Sequence, residues 1–313
     1  MLIRTDEVIP SIVSPRSPSL VPVASLDQQK ISARRGLLLF FPLLVALSTL
    51  FYWLIIGKHD AMAMALFMWT PGSAALLTRL LLREKFPMSS LFLSKRLLQP
   101  LVVAILTPLA IGLLAYGLAW KAGITPLVHF HVSTNIAFLL SLVGANPSLF
   151  ALTGSLLLIV GGEIISATGE EIGWRGYMLT RLIDAGVPRP VLVSGIIWSL
   201  WHWPLILLTP SSSPLSRIVV ACIFLVTITS LGCISAHLRL ATGSLWPSIL
   251  LHAAWNGIIL EIFDAFTKGA ETSIWTGESG LLVACMTILV AFVITRVHRD
   301  MNGKALKLSQ LDL

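Results

Sequence analysis

The chain has 313 residues, 56% of them hydrophobic and only 12% charged, with a formal net charge of +7. Soluble domains carry about 25% charged residues, so a mean hydropathy of +0.86 excludes an ordinary soluble fold. The expected class is all-α, a polytopic transmembrane helical bundle. The basic excess does not mark a nucleic-acid partner, because Lys and Arg stand at the ends of apolar runs, where membrane topology is set.

In chain order, Met1 to Arg35 is rich in Ser, Pro and Val and lacks a basic start followed by an apolar block and small residues. Residues 1–35 are therefore expected to form a flexible cytoplasmic arm. Eight apolar segments follow, close to the roughly 20 residues that span a bilayer: Gly36–Ile56, Ala61–Leu77, Leu97–Ala119, Leu149–Thr168, Val191–Leu208, Ile218–Ala236, Ser244–Ile262 and Gly280–Thr295. A shorter run, Asn135–Val143, is expected in an outer loop. The bundle is expected over 36–300, with a cytoplasmic tail over 301–313 that ends in LSQLDL and carries no prenylation box of its own. Crossing at each segment from a cytoplasmic N-terminus leaves only Lys58, Lys121, Arg217 and Lys268 of the 22 basic residues on the outer side. That bias supports both the count and the orientation, with N- and C-termini cytoplasmic.

Proline punctuates the segments at Pro71, Pro108, Pro204 and Pro247, each a candidate kink. Cys222, Cys233 and Cys285 lie inside apolar runs and read as small buried hydrophobes without a disulfide framework.

Charge inside an apolar helix is the strongest functional signal, because an ionised group there costs about 2.5–3.5 kcal/mol even on lenient insertion scales. Four pieces concentrate it: Glu170-Glu171-Ile-Gly-Trp-Arg175, Trp198-Ser-Leu-Trp-His202, His252-Ala-Ala-Trp-Asn256, and Glu163 one heptad before Glu170. Glu171 and Arg175 share a face at i, i+4 and read as a structural ion pair. Glu170 is turned about 100° from Glu171, so the two acids have different tasks. His252 and Asn256, also at i, i+4, are expected to aim two donors at one point. A carboxylate, two imidazoles and an amide suit peptide hydrolysis: Glu170 as base, His202 holding water, and His252 with Asn256 at the oxyanion. One difficulty is depth. Glu170 falls at the end of the fourth segment, His202 two-thirds along the fifth and His252 near the middle of the seventh. For these to meet, the fourth helix must sit deeper or its neighbours must bend.

EEIGWRGYML, WSLWHWP and LLHAAWN, in this order, resemble the CPBP family, which holds CAAX prenyl proteases of the second type and bacterial relatives described as intramembrane glutamic endopeptidases. The resemblance covers 149–262. It implies an eight-helix bundle around a cavity open to the cytoplasm and the bilayer. Glu170 and His202 would activate water, and His252 and Asn256 would form the oxyanion site. Glu171 and Arg175 would order the site, with Trp198 and Glu163 supporting it. It implies no cofactor and no metal. Its partners would be the lipid bilayer and a peptide or protein substrate, membrane-anchored or lipidated. The host would be a bacterial cytoplasmic membrane. The family usually has Phe where Trp198 stands, a change that keeps an aromatic wall.

Rival readings are weaker. HExxH, the usual zinc-protease motif, is absent, although Glu170, His202 and His252 match the ligand count of a catalytic metal. Gly277-Glu-Ser279-Gly reads as a turn, since Ser279 lies in an outer loop far from His298. Glu261 and Asp264 read as a solvated interfacial face. No inverted repeat favours a transporter. A non-proteolytic membrane scaffold or bacteriocin-immunity-type factor with the same fold stays open as the alternative.

Overall fold

The computed structural model describes residues 23–58, 61–85, 87–128, 149–208, 214–267 and 274–311. Its elements are helical: α1 (Val23–Tyr52, prolonged by a π turn Trp53–Gly57), α2 (Ala61–Phe67), α3 (Thr70–Leu81), α4 (Leu98–Lys121) and α5 (Leu149–Gly173). These are followed by α6 (Leu179–Asp184), α7 (Pro190–Leu208), α8 (Pro214–Thr242), α9 (Trp246–Trp255) and α10 (Leu281–Leu311). A π turn, Trp174–Met178, joins α5 to α6, and another, Asn256–Phe263, prolongs α9. Among the described residues, five helices are long and apolar enough to cross a membrane, over Leu26–Gly57, Leu98–Lys121, Pro190–Leu208, Ser216–Thr242 and Trp246–Phe266; Leu281–Arg296 is apolar but shorter. The protein is a polytopic, all-helical membrane protein.

The expected second span is broken at Met68–Trp69, between α2 and α3. Pro71 stands in the first turn of α3 and Pro247 in the first turn of α9. These two prolines start helices, where the missing N–H costs nothing, and do not kink them. Pro108 and Pro204 do lie inside α4 and α7. Glycines close several helices: Gly186 after α6 and Gly243 after α8 take positive φ of 73° and 69°, the left-handed turn that ends a helix.

Two segments expected to lie outside the bundle are helical. Residues 23–35 of the expected flexible arm are helical, because Ala, Leu, Gln, Lys and Arg carry α1 past its apolar part, where Gln29 donates to Asp184. Likewise α10 runs through the expected tail to Leu311. Asn135–Val143 lies outside the described residues.

The core gathers Phe40, Phe67, Tyr116, Trp174, Trp198 and Trp255, all nearly inaccessible. Large aliphatic side chains instead cover the outside, as with Leu38 at 75% and Leu113 at 57% exposure, the arrangement of a bundle whose solvent is lipid. Cys222 and Cys285 belong to that outer surface and Cys233 is half-buried, so the expectation of three buried cysteines fails: helical position, not apolar neighbours in sequence, decides their burial. Around the core, α3 packs on α5, α5 on α9, α9 on α4 and α8, and α7 on α8. The site residues fall on α5, α7 and α9.

Candidate active site

The depth difficulty is resolved by α5. It does not end at Thr168 but runs to Gly173 and continues through the π turn into α6. Glu170 and Glu171 therefore lie within a helical stretch of more than 30 residues, buried at 2% and 0% exposure. Close helix approach fixes their height. A Cβ on Gly72 would lie 2.5 Å from the Gly169 carbonyl oxygen, one on Gly169 2.8 Å from the Trp69 ring, and one on Gly173 2.4 Å from the Pro71 backbone. Only glycine admits α3 so near the two acids. Gly169 and Gly173 are spaced as small-xxx-small, the sequence signal of such a crossing.

The Glu170 carboxylate is held on one oxygen. Trp174 Nε1–H and Trp198 Nε1–H donate to Oε2 at 3.0 and 2.6 Å. Its other oxygen, Oε1, faces His252 Nε2 at 3.8 Å, beyond direct hydrogen bonding. Glu171 is saturated differently. Its Oε1 accepts Arg175 Nη1–H at 2.7 Å and His252 Nδ1–H at 3.1 Å, and its Oε2 accepts the Ser235 hydroxyl at 3.2 Å. Ser235 is secured in turn, its carbonyl accepting from the Ser248 hydroxyl at 3.0 Å. The Arg175 guanidinium lies 4.2 Å over the Trp198 ring, and both members of the Glu171–Arg175 pair have fully buried side chains. The i, i+4 pair is thus present.

His252 lies between the two acids. Trp198 packs edge-on against it, the ring centroids 5.0 Å apart. His202 is half-buried beside Trp201 and Phe224, at centroid distances of 4.6 and 5.3 Å. Its Nδ1 lies 3.2 Å from the Trp198 carbonyl. Because that carbonyl can only accept, Nδ1 carries the proton and Nε2 is left as an acceptor in the neutral ring. His202 is therefore joined to Glu170 through Trp198, whose backbone meets the imidazole and whose indole meets the acid.

His252 and Asn256 take different acids as acceptors. Asn256 begins the π segment and donates Nδ2–H to Glu163 Oε2 at 3.0 Å, whereas His252 donates to Glu171. Asn256 N–H still donates to the His252 carbonyl, so the regular i, i+4 relation between the two residues is kept. Glu163 thereby joins the constellation as the acceptor for Asn256. It also lines a groove of about 270 Å3 with Ile105, Val160, Leu250, Gly257 and Glu261. The expected solvated face at Asp264 is corrected: Asp264 accepts the Tyr116 hydroxyl at 2.5 Å, tying the end of the π segment to α4.

The motifs do not single out four further participants: Trp174, Ser235, Gly169 and Glu278. Glu278 Oε1 accepts Trp255 Nε1–H at 2.8 Å, from the residue between His252 and Asn256 that begins no motif. The turn expected at Gly277–Gly280 is present, closed by Gly280 N–H donating to the Gly277 carbonyl at 2.9 Å. Its Gly277 N–H donates to Tyr116 at 3.0 Å, and that tether brings Glu278 inward. Burial pushes the Glu278 carboxyl up to about 7. Among the described residues, no three of His, Cys, Asp and Glu converge as metal ligands.

Residues 150–258 match the family described as Type II CAAX prenyl endopeptidase Rce1-like. Over 49 residues the chain is 43% identical to CAAX prenyl protease 2 of Methanococcus maripaludis, a stretch amounting to 15% of this chain and 18% of that protein. The matched residues include Glu163, Glu170, Glu171, Arg175, Trp198, His202, His252 and Asn256, so over this third of the chain the sequence is similar to the Rce1-like type II CAAX prenyl endopeptidases.

Proposed function

We propose that the chain is an intramembrane glutamic endopeptidase that hydrolyses a peptide bond near the cytoplasmic leaflet, in a membrane-anchored or lipidated protein. The observation that carries this reading is the asymmetric hold on Glu170. Two indoles fix Oε2, so Oε1 is directed toward His252 Nε2 at 3.8 Å. A water in that gap could hydrogen-bond to both groups, and His202 Nε2 supplies a second acceptor from the Trp198 side.

In this mechanism Glu170 takes a proton from water as its oxygen attacks the scissile carbonyl carbon. The carbonyl π electrons move to oxygen, giving the tetrahedral oxyanion. Two donors are available to it. Between two carboxylates, the His252 ring can carry both protons and present Nε2–H. The Asn256 amide has two N–H groups, one engaged by Glu163 and the other free to donate. Each such donor is worth about 3–4 kcal/mol at the transition state. Glu170 then returns its proton to the leaving nitrogen as the C–N bond breaks. Glu171 and Arg175 do not react; they orient His252 and maintain the π turn.

The test is turnover of a reporter peptide by protein reconstituted in lipid vesicles. Glu170→Gln preserves size and hydrogen bonding but cannot act as base, so the rate is expected to fall about 100-fold or more. Cleavage by this variant at the wild-type rate would overturn the proposal and favour the non-proteolytic scaffold reading.

A further inference from the structure

We infer that the outer face of α1 is a binding site for one anionic phospholipid, with its phosphate at Lys30 and Arg34 and an acyl chain in the groove between α1 and residues 185–188. The groove holds about 670 Å3 and is lined by Leu37, Leu38, Phe41, Pro42 and Val187, with Arg34 at its rim. Lys30 lies at the same end, folded across Gly186 so that its Nζ is 3.6 Å from where a Cβ would stand.

The order of these residues along the helix identifies the occupant. Lys30, Arg34, Leu37, Leu38 and Phe41 share one face of α1 at i, i+4, i+7, i+8 and i+11. Cations occupy its first two turns and apolar side chains the rest. From Arg34 to Pro42 the helix rises about 12 Å at 1.5 Å per residue, close to the roughly 15 Å half-thickness of a bilayer core. The stripe thus has the polarity and depth of one lipid leaflet, and the positive-inside bias assigns its basic end to the cytoplasmic face. Only 17% of the apolar window of α1 is buried within the protein, so bilayer lipid has access to it. Asp184, next to Ala185 of the groove, already accepts from Gln29 at 3.2 Å and lies 3.8 Å from Arg181. Among the described residues, neither Lys30 nor Arg34 forms an ion pair with it. An apolar peptide would not use the two cations, and a free phosphate would not use the groove.

Native mass spectrometry of the full chain, titrated with phosphatidylglycerol or phosphatidylcholine, tests the inference without reference to proteolysis. Wild type is expected to hold one phosphatidylglycerol more tightly than phosphatidylcholine. The Lys30→Gln/Arg34→Gln variant should lose that preference, at roughly fivefold per cation. A preference that survives the double variant, or complete displacement of the lipid by inorganic phosphate, would overturn the site. Photo-crosslinkable phosphatidylglycerol on the wild-type protein gives a second reading that needs no variant to fold: labels should fall on residues 37–42 and 185–188, and labelling spread evenly around the bundle refutes the proposal.

Discussion

The Trp198 indole donates its Nε1–H to Glu170 Oε2 at 2.6 Å, while the other edge of the same residue, its backbone carbonyl, meets His202 Nδ1 at 3.2 Å. One aromatic side chain therefore fixes the proposed base and its helix places the neighbouring imidazole. A phenylalanine at this position, usual in the family that the motifs resemble, would pack but could not donate. A hydrogen bond to a charged group contributes about 1.5–3 kcal/mol, so Trp198→Phe is expected to lower kcat roughly 10- to 100-fold with KM little changed. In a double-mutant cycle, Trp198→Phe should cost nothing further in a Glu170→Gln background. Additive losses in the peptide-cleavage assay would show that Trp198 acts through packing alone.

The buried Glu171–Arg175 pair makes a different prediction. Removing one partner of such a pair leaves an uncompensated charge and costs about 3–5 kcal/mol. Glu171→Gln should lower both the melting temperature and turnover, because the same oxygen that pairs with Arg175 accepts His252 Nδ1–H. Replacing both members by leucine removes both charges and should recover much of the stability. It should not recover turnover, since His252 would still lack its acceptor. Thermal unfolding and peptide cleavage measured on the single and double variants separate the two roles.

These interactions differ in how far the sequence reveals them. The Glu171–Arg175 pair is legible because i, i+4 spacing is a sequence quantity, and the motifs also name Glu170, Glu171 and His252, which the structure brings side by side. Depth is not legible. Apolar runs locate the end of a helix only where charge also ends it, and here α5 carries Glu170 and Glu171 on to Gly173 and its π turn carries Arg175, all three buried. The partner of Asn256 is hidden for a related reason: nothing in the local sequence says that its amide meets Glu163, 93 residues away in the chain. Glu278 is missed because a Gly-rich turn gives no sign of being tethered inward by Tyr116.

Glu278 provides a pH test. Burial is the main cause that pushes its carboxyl from 4.5 up to about 7, with Asp264 and Glu170 adding like charge and with the Trp255 hydrogen bond and His252 opposing. The folded state therefore binds this proton more tightly than the unfolded chain. Its stabilising contribution is complete below about 4.5 and is lost as pH rises through about 7. Wild type should show a melting temperature that declines across this window relative to Glu278→Gln, which is permanently neutral and keeps an acceptor for Trp255. Parallel melting curves for the two proteins across that range would show that Glu278 is not the titrating group.

The glycines beside the acids set how closely α3 can approach them. Gly173 follows Glu170 by three residues, and a Cβ there would stand 2.4 Å from the Pro71 backbone carbon and 2.6 Å from its oxygen. Neither atom is the mobile end of a side chain, so α3 must move. Overpacking of this kind costs about 1–3 kcal/mol, and the displacement would reach Glu170 through the same helical turn. Gly173→Ala is expected to lower the melting temperature and to reduce kcat more than it raises KM. By contrast, Gly162→Ala on α5, where nothing lies within 4 Å of the new methyl group, should be neutral or stabilising, since alanine is the better helix former. Measuring unfolding and cleavage for the two variants side by side distinguishes a requirement for close helix approach from a general sensitivity of α5 to substitution.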